Sequence, residues 1–238
     1  MAFRQPDADQ PERSVQSASA GLERNWENRF TAFRRVGWRS LARTAAMART
    51  VPTPSFSLHT MGGRRKYLTP SERVRFIAAA RGSPAAIATL CLVLVWTGCR
   101  ITEALNLVHA DLDRDGGIIT IRCLKKRRDG VIREVPVPSN LMALLARVHG
   151  EGPLDARLWP IARVTAWRQI KDVMREAGVG ATAACPKGLR HGFGVHAVRS
   201  GVPLNLLQRW LGHADIATTA IYADVMGPEE REIAARMW

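Results

Sequence analysis

Hydrophobic and polar positions fall into a clear period only after about residue 65. Thr69-Pro70-Ser71-Glu72 sets a Glu three positions after a Thr and a proline at the first helical position, the mark of a helix start. A helix is predicted from there to about Ala80, stopping near Gly82. Pro84 opens a second helix, apolar nearly all round, that ends at Thr97-Gly98. Its apolar run, 85–96, is too short for a bilayer, which takes about 20 residues, so it reads as a buried core helix. Thr102 caps a short third helix through Leu107. Asp111-Leu112-Asp113 then leads into a β region, where β-branched runs at 118–123 and 131–137 flank 124–130 as a hairpin. Further helices are predicted over 140–148, 164–177, 188–199, 204–211 and 218–225. A terminal helix over 228–237 is acidic first and basic last, which suits its macrodipole. The pattern is that of a mainly α protein with a small antiparallel β-sheet.

The first 60 residues differ. They hold nine arginines, no lysine and five acids, and are rich in Ser, Ala, Pro and Gln. Between 26 and 46, Trp26, Phe30, Phe33, Val36, Trp38 and Leu41 fit a short amphipathic helix, closed by Pro52 and Pro54. Residues 1–65 are expected to form a poorly ordered basic arm, or a tail without a role. Met61, just ahead of Gly62-Gly63-Arg64-Arg65-Lys66, is an alternative start.

Charge narrows the function. Lys plus Arg number 35 against 21 Asp plus Glu, a net charge of +14 over 238 residues. Such an excess is the footprint of a nucleic-acid binder, held to phosphates by counterion release. Cys91, Cys99, Cys123 and Cys185 stand alone without metal-ligand spacing, so no metal is expected, and unpaired cysteines fit a reduced, cytoplasmic compartment. No continuous apolar stretch marks a secretory signal or a membrane anchor.

Chemistry concentrates late in the chain. Lys187-Gly188-Leu189-Arg190-His191 is followed by Leu211-Gly212-His213 and then Tyr222, one of two tyrosines. Ninety residues ahead of Arg190 lies Thr97-Gly98-Cys99-Arg100-Ile101-Thr102-Glu103, a Gly turn, an Arg and a Glu after the apolar helix. Between them, the hairpin turn reads Leu124-Lys125-Lys126-Arg127-Arg128-Asp129-Gly130. Arginine suits a phosphate because its planar fork grips two oxygens and keeps its charge. Tyrosine can serve as a covalent nucleophile, although a phenol near pKa 10 needs help to lose its proton.

Taken together, these motifs resemble the tyrosine recombinases, the phage-integrase-like site-specific recombinases, over roughly residues 66–226. The resemblance implies the family's DNA breaking-rejoining catalytic domain over 66–238, ending in a C-terminal helix. It implies that Tyr222 attacks DNA, leaving a 3′-phosphotyrosyl bond and a free 5′ hydroxyl. Arg100, Lys187, Arg190 and His213 would hold the phosphate, and Lys125, with Lys126 as competitor, would protonate the leaving oxygen. Glu103 would keep the local geometry, and His191 would buttress the active-site helix. Lys126, Arg127 and Arg128 would touch the DNA backbone. The covalent ester conserves the phosphodiester's free energy, so no cofactor is implied.

Two features depart from the family pattern. Lys187 stands where histidine is usual; as a point charge it still binds phosphate, but it is a poor base near neutral pH unless its pKa is depressed. The helical clamp domain common among relatives is not matched by the residues before 66. The implied partners are double-stranded DNA and three further copies, as a homotetramer on paired sites that exchanges a C-terminal element; residues 227–238 are either that element or a helix packed on its own domain. The implied setting is the nucleoid. A type IB topoisomerase-like nicking-closing enzyme and a catalytically weak DNA-binding remnant are the alternative readings.

Overall fold

The computed structural model describes residues 57–123, 131–224, 234, 235 and 237. The predicted helix around 26–46, the basic turn 124–130 and most of the terminal helix 228–237 lie outside the described residues.

Helix α1, Pro70–Gly82, begins with the predicted capping box. Glu72 N–H donates to Thr69 Oγ1 at 3.2 Å, and Thr69 N–H donates to Glu72 Oε2 at 2.9 Å. Helix α2, Ala85–Thr97, is buried from Ala88 to Val95 and forms the centre of the molecule. It ends at Gly98 with a left-handed φ of +61°, whose N–H returns to Leu94 O at 3.1 Å. A side chain there would meet the Phe193 ring at 2.5 Å, so both backbone angle and space require glycine.

Helix α3, Ile101–Leu105, starts two residues earlier than the sequence suggests. Arg100, not Thr102, holds the cap position, because the Glu103 carboxylate reaches back to accept from Arg100 N–H at 2.8 Å. A 3₁₀ turn, His109–Asp111, leads into a three-stranded antiparallel sheet in chain order: β1 Leu112–Asp113, β2 Ile118–Arg122 and β3 Ile132–Pro136. The β2–β3 register pairs Ile119 with Val135 and Ile121 with Arg133. Alternation turns all four of these side chains inward.

Helices α4, Ser139–His149, and α5, Arg163–Glu176, pack on the other sides of α2. Helix α6, Pro186–Arg199, crosses α2 and separates two apolar clusters. The larger takes Leu189 from α6 and most of α1 to α5. The smaller gathers Phe193 and Val195 of α6, Leu207 and Leu211 of helix α7, Leu204–Leu211, and Ile221 and Tyr222.

Helix α8 covers only Ala217–Ala220. The expected helix over 218–225 is therefore a single turn that tightens. Tyr222 N–H donates to Thr219 O at 3.0 Å and Ala223 N–H to Ala220 O at 2.9 Å, a three-residue step in place of the α-helical four. Tyr222 thus sits on a turn just past the helix. The other described helices and the two hairpin strands fall within two residues of their predicted ends.

Candidate active site

The C-terminal ends of α2 and α7 converge on the middle of α6, and Arg190 occupies the junction. Its Nη1 donates to Gly98 O at 2.9 Å and its Nη2 to Leu211 O at 2.7 Å. These are carbonyls at helix ends, where no intrahelical partner exists. Burial, then the neighbouring charge of Arg100, lowers the Arg190 guanidinium to about 10, which still leaves it charged at neutral pH.

Arg100 is placed by α3. Its Nη1 pairs with Glu103 Oε1 at 2.7 Å, and about a third of the side chain faces solvent. Lys187 lies one turn before Arg190 on α6, is exposed, and projects its charge towards His191. These cations form an open basic edge on an otherwise buried site.

The turn after α7 carries His213, whose Nδ1 shares a 2.9 Å hydrogen bond with the buried Thr219 hydroxyl. Its ring lies nearly parallel to that of Tyr222, 6.3 Å between centroids and 10° between planes. Burial, then the charges of Arg190 and Arg100, depresses His213 to about 3. It is therefore neutral at physiological pH.

Tyr222 is only 2% exposed. Its ring lies against Gly194 of α6, where even a methyl group would come within 2.5 Å of the ring. Its hydroxyl meets His191 Nδ1 at 3.1 Å. Burial pushes the phenol up to about 12, against the opposing pull of Arg190 and Arg100. His191 is held down to about 4, by burial first and then by Lys187, Arg190 and Lys66.

Arg133, given no role in the sequence reading, ties these parts together. From its inward position on β3 it donates to Glu103 Oε2 at 2.6 Å, to Trp210 O at 2.7 Å and to Cys123 Sγ at 3.0 Å. One buried guanidinium thus links the carboxylate that holds Arg100, the end of α7 before His213, and the end of β2. Strand alternation was the signal: Arg133 shares its face with Val135, and a charge on a core face needs a partner.

Arg100, Glu103, Arg190, His191, His213 and Tyr222 are therefore brought together, with Lys187 at the rim. Lys125, Lys126, Arg127 and Arg128 lie outside the described residues. Among the described residues, no three His, Cys, Asp or Glu side chains gather as metal ligands. No helix among them is long and apolar enough to cross a membrane.

A mainly helical domain with a three-stranded antiparallel sheet, an Arg–Glu start to α3 and a docked tyrosine defines a tyrosine recombinase catalytic fold. The phage integrase family model matches residues 66–227, and the chain belongs to that family. Tyrosine recombinase XerA of Pyrococcus furiosus is 31% identical over 157 residues, 62% of this chain and 53% of that protein. The crystal structure of XerA recombinase superposes with a TM-score of 0.61 at 28% identity, covering 72% of this chain and 64% of that one. The XerH site-specific recombinase bound to its difH substrate, before cleavage, shares the fold at 20% identity with a TM-score of 0.58, over 76% of this chain and 59% of that one. The chain spans about half the length of the curated relatives it matches.

Proposed function

We propose that this protein is a site-specific DNA recombinase that cuts and rejoins double-stranded DNA through a 3′-phosphotyrosyl intermediate. The observation that carries the reading is the setting of Tyr222: a buried phenol between two neutral histidines, within reach of the Arg190 and Arg100 charges. A phenol so placed has no need of solvent. It suits a reaction in which the electrophile is delivered as a bound anion.

The scissile phosphate docks on the basic edge, against Arg100, Arg190 and Lys187, with His213 as a neutral hydrogen-bond donor. These fixed charges stabilise the extra negative charge that builds on the non-bridging oxygens. Tyr222 Oη attacks phosphorus, and the bond to the 5′ oxygen breaks. Lys125, just beyond the end of β2, protonates that oxygen. Lys126, Arg127 and Arg128 contact the adjoining backbone. Residues 66–238 form the catalytic domain and 1–65 a basic arm. The protein acts as a homotetramer on paired sites, in the nucleoid.

A nicked duplex carrying a site selected from a randomised library tests this, because the nick lets the cut strand escape and traps the ester. The expected result is a covalent protein–DNA adduct that Tyr222→Phe abolishes. No adduct on any selected site overturns the reading. Adduct formation by a monomer, with supercoil relaxation and no strand exchange, replaces recombination by a nicking-closing activity.

A further inference from the structure

His191 follows Arg190 on α6 and is buried, yet it is poorly used as a packing residue. Its Nδ1 lies 3.1 Å from Tyr222 Oη. Its Nε2 is buried with no hydrogen-bond partner among the described residues. A histidine kept for structure alone normally satisfies both nitrogens. Here one nitrogen faces the Tyr222 hydroxyl and the other bonds to no described residue. No other described side chain is hydrogen-bonded to the Tyr222 hydroxyl.

The charges facing His191 all disfavour an imidazolium. Lys187 and Arg190 act from α6 and Lys66 from the segment before α1, while His213 and Tyr222 face it uncharged. Burial and these cations favour a neutral ring in the free protein, and the tautomer with its proton on Nε2 leaves the Nδ1 lone pair to the phenol. A phosphate bound to Arg190, Arg100 and Lys187 offsets those cations. The charge gathering on that phosphate during attack offsets them further. The same event that supplies the electrophile thus turns a feeble base into a competent one.

We infer that His191 Nδ1 takes the Tyr222 proton as Oη attacks the scissile phosphate, so that His191 is the catalytic base. This rests on the reading of Tyr222 as nucleophile. The Oη–P bond forms, the P–O5′ bond breaks, and the Oη proton passes to Nδ1. The 5′ oxygen takes a separate proton from the general acid. On religation the imidazolium returns its proton to Oη. His213 is less suited to the task, since its Nδ1 is engaged by Thr219. Lys187 is then free to act as a phosphate-binding cation alone.

A 5′-bridging phosphorothiolate substrate isolates the step, because a thiolate leaves without a general acid. His191→Asn keeps a hydrogen-bond acceptor near the Nδ1 position but cannot take a proton. Wild type should reach a pH-independent cleavage rate near neutrality. The variant should cleave about 100-fold more slowly at pH 7, and its rate should keep climbing with pH as the phenol ionises unaided. An unchanged profile with a rate within about threefold of wild type sinks the inference and leaves Tyr222 as nucleophile. Failure of wild type to cleave, by contrast, sinks the nucleophile reading itself. Should His191→Asn not fold, fluorotyrosine at position 222 of the otherwise intact protein reads the same step. A midpoint that stays put when the phenol pKa is lowered supports His191; one that falls with the phenol overturns it.

Discussion

Arg133 and Glu103, thirty residues apart, meet at 2.6 Å with side chains only 2% and 1% exposed. Each contributes a charge that could not stay buried alone. Burial on its own pushes the Glu103 carboxyl up, but the Arg133 charge and hydrogen bond outweigh it, and Arg100 adds to the effect.

Removing one partner should therefore cost more than removing both. Arg133→Met is expected to destabilise by about 3–5 kcal/mol in urea unfolding, because Glu103 loses its buried partner. Arg133→Met with Glu103→Leu should recover part of that loss. Arg133→Lys keeps the charge but loses the planar fork, so it should fold while losing the contacts to Trp210 and Cys123. A cost for the double variant equal to the sum of the two single costs would show the pair to be uncoupled.

Acid should weaken the fold in two stages. His213 and His191 titrate near 3 and 4 in the folded chain against 6.5 unfolded. Below pH 6.5 the unfolded state takes up protons that the folded state refuses, so stability is full above 6.5 and falls as pH drops towards 4 and 3. Glu103 and Glu72 lie below their ordinary 4.5, so their contribution is lost only below that value. The melting temperature should start to fall near pH 6.5, and His213→Gln should blunt that first decline.

Gly194→Ala brings a methyl group within 2.5 Å of the Tyr222 ring. Crowding of this kind costs about 1–3 kcal/mol. The variant should bind DNA with unchanged affinity in fluorescence anisotropy, yet lose most covalent adduct, because the proposed nucleophile is displaced. Full adduct yield would show that the phenol tolerates a shift.

Arg190→Lys cannot reach both Gly98 O and Leu211 O. Leaving a buried carbonyl unpaired costs about 1–3 kcal/mol. Thermal unfolding should show this loss even in the absence of DNA. Arg100→Lys, at a partly exposed position, should leave the melting temperature nearly unchanged and reduce cleavage alone.

Much of this architecture is legible in the chain, and the exceptions share a cause. The Thr69 box, the apolar α2 and the paired strands are written in local pattern, so their elements follow. The start of α3 is misread because the capping group is Glu103, a side chain three positions inside the helix rather than at its head. The helix at Tyr222 is overextended because what tightens it is a change in hydrogen-bond step, which composition does not encode. Arg133 is passed over because it stands close to a run of surface-type basic residues, and only alternation with Val135 and pairing with Ile121 reveal that it points inward. His191 reads as a buttress because its distance to Tyr222 depends on how the turn after α8 folds back over α6.

The two hydrogen bonds of Arg190 to the ends of α2 and α7 bear on how members of this family decay. A copy that has lost its chemistry still needs that guanidinium to close the domain, so selection for folding alone preserves it. The Tyr222 hydroxyl contributes a single hydrogen bond to stability and is free to drift to phenylalanine. In a degenerate relative, an intact Arg190 is a record of the fold, whereas an intact Tyr222 is, on the proposed chemistry, a record of use.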